Sequence, residues 1–165
     1  MFTIKHKNKE ISCESGCCSP KPKGKALCPE CGKTAKSVLV KTLEYLLQPK
    51  SIEKLNSLED FYYCKTPSCE VVYFREDEIL TQSDISVIVG LKEGASPATV
   101  CYCFAWTKEK IQAELEESGK TMALDDIKAK MENPGCSCEI LNPSGGCCLG
   151  DVGKAIKELE SKLKA

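Results

Sequence analysis

A chain of 165 residues with 23 Lys and Arg against 24 Asp and Glu is sized for one domain or two small ones. The balanced charge and a lone arginine, Arg75, exclude a partner gripped by bulk positive charge, so nucleic acid is not expected. No run of about 18 apolar residues is present. The lysine-rich start has no apolar stretch behind it, which reads as neither membrane span nor signal peptide and places the chain in the cytoplasm.

Thirteen cysteines dominate the composition, while aromatic residues contribute only 6%. Two half-chain domains would each have a thin apolar core, and cores of that size need metals or disulfides. In a reducing cytoplasm the cysteines read as metal ligands or redox groups rather than as bridges.

Residues 1–25 read as a solvated tail carrying Cys13, Cys17 and Cys18, because the run Ser19-Pro20-Lys21-Pro22-Lys23-Gly24-Lys25 has almost nothing to bury. From Ala26 to Val89 the pattern is mostly strand: Ser37 to Val40, Phe61 to Tyr63, Val71 to Phe74 and Ile85 to Val89. Leu43, Leu46, Leu47, Ile52 and Leu55 predict a short helical excursion broken at Pro49. Gly90 to Pro97 reads as a junction, giving a domain over 26–96 and another over 97–165. After it the chain reads as helices between cysteine loops. Thr107 caps a helix with Ile111 and Leu115 inward that ends at Gly119, and a second helix runs from Leu124 to Met131. The last follows Cys148, with Leu149, Val152, Ile156, Leu159 and Leu163 on one face.

Cys28-Pro29-Glu30-Cys31 is a knuckle that can aim two thiolates at one ion, and Cys64 with Cys69 supplies a second pair at a hairpin turn. Zinc suits such a closed four-thiolate site, since it is tetrahedral and redox-inert; iron in a rubredoxin-like arrangement accepts the same ligands. In the second half, Cys101-Tyr102-Cys103 offers one thiolate pair. The other must come from Cys136, Cys138, Cys147 and Cys148. The single histidine, His6, lies in the tail, which excludes a two-histidine cluster and leaves an all-cysteine 2Fe-2S centre. If Cys148 opens the last helix, the helix N-terminus stabilises the anionic cluster and Cys147 points elsewhere.

The segments Phe61-Tyr62-Tyr63-Cys64, Ser68-Cys69-Glu70-Val71-Val72-Tyr73-Phe74, Val100-Cys101-Tyr102-Cys103 and Asn142-Pro143-Ser144-Gly145-Gly146-Cys147-Cys148 resemble the N-terminal domain of CopZ-type copper chaperones. The resemblance implies an α+β chain: a small zinc-bound β domain, then a helical 2Fe-2S domain similar to bacterioferritin-associated ferredoxin. It implies zinc ligands Cys28, Cys31, Cys64 and Cys69, and cluster ligands Cys101, Cys103, Cys138 and Cys148. The most similar chaperones of that family continue into a copper domain with a C-x-x-C loop, which this sequence, ending at Ala165, does not carry. Cys136 and the tail cysteines have no counterpart in the pattern.

The expected function is soft-metal handling. The tail thiols Cys13, Cys17 and Cys18 capture Cu(I), the cluster reduces Cu(II) to Cu(I), and a redox or metal-transfer protein serves as partner. A small electron-transfer or redox-sensing protein without copper is the alternative. No catalytic residues are nominated: the chain has no nucleophile elbow or phosphate loop, and at most it is a one-electron metal reductase. Tyr102, Phe104 and Trp106 near the cluster are read as core residues, and the lysines of the last helix as a solvated face.

Overall fold

The computed structural model describes residues 24–165. The tail cysteines Cys13, Cys17 and Cys18 lie outside the described residues. The first half consists of β1 (Lys25–Leu27), β2 (Thr34–Ser37), α1 (Val40–Leu46), α2 (Pro49–Ile52), β3 (Tyr62–Tyr63), β4 (Val71–Arg75) and β5 (Glu78–Thr81). The second consists of β6 (Thr99–Cys101), β7 (Trp106–Thr107), α3 (Lys108–Ser118), α4 (Ala123–Glu132), α5 (Cys138–Leu141) and α6 (Leu149–Lys164). Strands β1 to β5 form one antiparallel sheet in sequence order, and β6 pairs with β7 as a separate hairpin.

Strand β4, paired between β3 and β5, is buried from Val71 to Phe74 and serves two interiors. A register shift between Val71 and Tyr73 breaks the strict alternation of the strand. Val72 and Tyr73 therefore join the main core with Leu43, Leu46, Phe61 and Val89, while Val71 and Phe74 join Cys28, Cys64 and Cys69 in a smaller one. The second half has its own core, built from Val100, Cys101, Trp106, Ile111, Leu115, Ile127, Cys138, Cys148, Val152 and Leu159.

Several expectations are corrected. The strand expected over Ser37–Val40 lies earlier, over Thr34–Ser37, where Ala35 and Ser37 alternate inward. Val40 instead opens α1, because Thr42, Leu43 and Leu46 bury at helical spacing and packing overrides β-branched preference. No strand forms over Ile85–Val89 beyond one bridge between Leu47 and Ile85. There the Gln82 side chain takes the place of a ladder: its Nε2 donates to the Val87 carbonyl at 2.7 Å and its Oε1 accepts from the Val89 N–H at 2.8 Å. Lys25, read as part of the tail, pairs with Lys36 in the sheet. Strand β6 is the extended segment that leads into Cys101-Tyr102-Cys103, whereas its partner β7 and strand β5 are not marked by the sequence pattern.

The helices follow the expected signals. Thr107 accepts from the Lys110 N–H, Ile111 and Leu115 face inward, and α3 ends at Gly119. In α6 the buried line runs through Val152, Ala155 and Leu159, so the face is turned slightly from the expected one and Leu163 is exposed. Trp106 is buried, as expected for a core residue, and its indole N–H donates to Asp126 on α4 at 2.8 Å. No helix among the described residues is long and apolar enough to cross a membrane.

Gly90 sits where the chain leaves the first half. A Cβ there would lie 2.1 Å from the Thr99 carbonyl oxygen and 2.3 Å from its nitrogen, just before Cys101. Because both atoms are backbone, a methyl group can be accommodated only by moving β6. Gly90→Ala is expected to cost about 1–3 kcal/mol in chemical denaturation. A denaturation midpoint equal to that of the parent chain contradicts this packing.

Candidate metal centres

Four cysteines converge in the first half. The β1–β2 turn brings in Cys28 and Cys31, held by the Gly32 N–H to Cys28 carbonyl bond at 2.8 Å and the Cys28 N–H to Lys33 carbonyl bond at 3.0 Å. The β3–β4 connection brings in Cys64 and Cys69, with the Cys64 N–H donating to Val72 at 2.9 Å. All four sulfurs lie within 4.8 Å of one another. Cys28 and Cys69 sulfurs are 3.9 Å apart, and those of Cys31 and Cys64 are 3.7 Å apart. Metal–sulfur bonds of ~2.3 Å give a tetrahedron with edges of about 3.8 Å, so the spacing fits one tetrahedral ion.

The thiols of this set are not equivalent. The Thr66 hydroxyl, 3.3 Å from the Cys31 sulfur, is the main reason that thiol is lowered to about 6. Burial raises Cys28 and pushes Cys69 up to about 12. Beneath the loop, the Lys92 ammonium donates to the carbonyls of Cys64 at 2.8 Å, Thr66 at 2.9 Å and Val71 at 2.7 Å. It fixes the 64–71 turn and places positive charge beside the thiols. Nothing in the sequence marks Lys92 among the lysines, because its role depends on three carbonyls that only the folded turn presents.

A second group forms where β6, α5 and α6 meet. The sulfurs of Cys103 and Cys138 lie 3.6 Å apart, and the Ser137 N–H donates to the Cys103 sulfur at 3.3 Å. Cys148 lies immediately before α6, and its thiol is the main influence that lowers Cys101 to about 7 and Cys138 to about 6, while Cys148 itself is raised by the same two neighbours. Burial pushes Cys103 up to about 12. Cys101, Cys138 and Cys148 are buried, Cys103 is partly exposed and Cys147 is exposed. Cys136 packs against the edge of the same core. Of the four candidates for the second thiolate pair, Cys138 and Cys148 are thus the two turned toward Cys101 and Cys103.

Residues 25–86 match a family model for the CopZ zinc-binding domain. The copper chaperone CopZ of Archaeoglobus fulgidus is 34% identical over 146 residues, spanning 82% of this chain and 69% of that protein. The chain belongs to the CopZ family. The X-ray structure of the A. fulgidus CopZ N-terminal domain is similar, with a TM-score of 0.67 at 33% identity over 78% of this chain and 96% of that domain. The Cys28, Cys31, Cys64 and Cys69 cluster falls inside the matched CopZ zinc-binding domain. The group around Cys101 lies beyond it.

The asymmetry of the first group is open to test. In the metal-free chain at pH 7, Cys31 is ionised and partly exposed, whereas Cys28 and Cys69 are protonated and buried. Iodoacetamide is expected to alkylate Cys31 well before Cys28 and Cys69, with its rate falling as the pH drops through about 6. Peptide mapping by mass spectrometry checks the order, and equal labelling of the three contradicts it.

Proposed function

We propose that this CopZ-family chain holds one zinc ion at Cys28, Cys31, Cys64 and Cys69 and one 2Fe-2S cluster at Cys101, Cys103, Cys138 and Cys148, and that it serves in copper handling. The observation that carries the second centre is the meeting of four thiols from three separate elements, three of them buried, at an edge length of 3.6 Å between Cys103 and Cys138. Buried thiols gathered this closely, without bridges, suit a metal centre whose charge the backbone must offset. Cys148 stands at the N-terminus of α6, and the Ser137 N–H donates to the Cys103 sulfur, so the helix end and that N–H both favour a negative centre.

A 2Fe-2S cluster, when bound, supplies one electron at a time. Held by Cys101, Cys103, Cys138 and Cys148, it would supply the single electron that separates Cu(II) from Cu(I), with an external one-electron donor as the source. The chain's own residues divide the remaining work. Burial of Cys101, Cys138 and Cys148 keeps water from the centre, whereas the partly exposed Cys103 marks the side from which an electron leaves. The tail thiols Cys13, Cys17 and Cys18 then take up Cu(I), a soft ion that prefers sulfur. Copper itself enters this reading through the relative, which is described as a copper chaperone. The zinc site has no redox role and ties the five-stranded sheet together.

Anaerobic reconstitution of the full chain is expected to give one zinc, two irons and visible charge-transfer bands. Cys103→Ser should abolish the bands and the reduction of Cu(II), and Cys28→Ser should lose zinc and lower the melting temperature. Replacing Cys13, Cys17 and Cys18 together with Ser should leave reduction intact and weaken Cu(I) retention at least tenfold in competition with a Cu(I) chelator. Unchanged colour in Cys103→Ser refutes the cluster assignment. A parent chain that cycles with an electron donor yet neither reduces nor retains copper refutes the copper role.

A further inference from the structure

The segments that carry the second group of thiols are hung on the first half of the molecule by three side-chain hydroxyls. Tyr73 on β4, fully buried, donates its hydroxyl to the Pro143 carbonyl, midway along the loop from Cys138 to Cys148. Thr42 on α1, also fully buried, donates to the carbonyl of Glu139, the residue after Cys138. Tyr102, between Cys101 and Cys103, accepts from the Gly90 N–H at 2.8 Å and donates to the Ile88 carbonyl at 3.1 Å. Lys41 adds an ion pair with Glu139. The fit is close: a Cβ on Gly145 would stand 2.9 Å from the Thr42 hydroxyl oxygen.

The loop is stiff as well as tethered. The buried Asn142 side chain donates to the Gly146 carbonyl at 2.8 Å and accepts from the Ser144 N–H at 3.2 Å, so the turn before Cys148 moves as a unit. On the other side, two of the tethers lead back to the first cysteine group. Tyr73 lies on β4, which begins two residues after Cys69, and Ile88 and Gly90 run into Lys92, which grips the Cys64 and Thr66 carbonyls. A buried hydroxyl that meets a buried carbonyl is costly to remove, since the carbonyl is left without a donor.

We infer that Tyr73 and Thr42 are positioning residues for the cluster, and that the zinc-bound half is the frame that fixes the Cys138–Cys148 loop in ligating geometry. The inference rests on the cluster assignment proposed above. It adds that the two centres are linked, so that loss of the zinc site shortens the life of the cluster.

The test uses the full chain, reconstituted anaerobically, in the parent form and as Tyr73→Phe, Thr42→Val, Thr42→Ser and Cys28→Ser. Cluster bleaching by a ferrous chelator is followed by visible absorption, ligand geometry by visible circular dichroism, and zinc by metal analysis. Tyr73→Phe and Thr42→Val are expected to bleach roughly five- to tenfold faster and to alter the visible dichroism, with one zinc retained. Thr42→Ser, which keeps the hydroxyl, should match the parent, and zinc-free Cys28→Ser should bleach fastest. Bleaching within twofold of the parent and superimposable dichroism in both Tyr73→Phe and Thr42→Val overturn the inference. A zinc-free Cys28→Ser chain with a cluster of parental lifetime does the same. A parent chain that forms no cluster at all overturns the cluster assignment and this inference together, and is told apart by its lack of colour before any substitution is compared.

Discussion

Sulfur stands where hydrocarbon would stand in a larger protein. Cys28, Cys64 and Cys69 share their small core with only Ala35, Val71 and Phe74 as buried neighbours, and Cys101, Cys138 and Cys148 sit at the heart of the core of the second half. A thiol is a modest apolar group, so cores of this make-up bury little area per residue. A structural metal changes that balance, because apparent binding free energies of about 10–16 kcal/mol for zinc at four ligands add directly to folding. At the first site the β1–β2 and β3–β4 connections bring four sulfurs within 4.8 Å of one another, as such a metal requires.

Four thiolates around one divalent ion leave a surplus of negative charge, and the surrounding structure answers it at short range. Lys92 stands under the first site with its ammonium fully engaged by three carbonyls. At the second, offsetting groups come from the backbone: the Ser137 N–H and the first turn of α6. On the proposed assignment the difference has a chemical reason: a fixed cation beside a redox-inert ion stabilises a permanent charge, whereas backbone dipoles would moderate a charge that changes by one electron without dominating it.

The junction between the halves bears on the proposed cluster, whose ligands would have to be held still through each change of valence. The loop bearing Cys138 and Cys148 contains only one short helix of its own. It is held from outside by Thr42 on α1 and Tyr73 on β4, the strand whose Val71 and Phe74 pack with the first group of cysteines. The similarity to CopZ likewise extends over both halves, spanning 82% of this chain.

Much of the site was legible in the sequence because metal ligation leaves its signature in residue type and spacing. The Cys28-x-x-Cys31 knuckle, the Cys64 and Cys69 pair and Cys101-x-Cys103 could be read directly, and helix phase pointed to Cys148. Helix α3, with Thr107 and Gly119 at its ends, was equally plain. The strands were less so: Val40 was drawn into α1 by the packing of Leu43 and Leu46, and Gln82 satisfied the backbone that a strand over Ile85–Val89 would have paired. The sequence by itself determined which atoms can bind metal and roughly where helices start and stop, because those depend on local chemistry. Only the tertiary structure decided that Cys138 rather than Cys136 or Cys147 faces Cys103, that Lys92 lies under one site, and that Tyr73 and Thr42 hold the other. Those outcomes depend on contacts between residues 21 to 97 positions apart, and no local pattern encodes them.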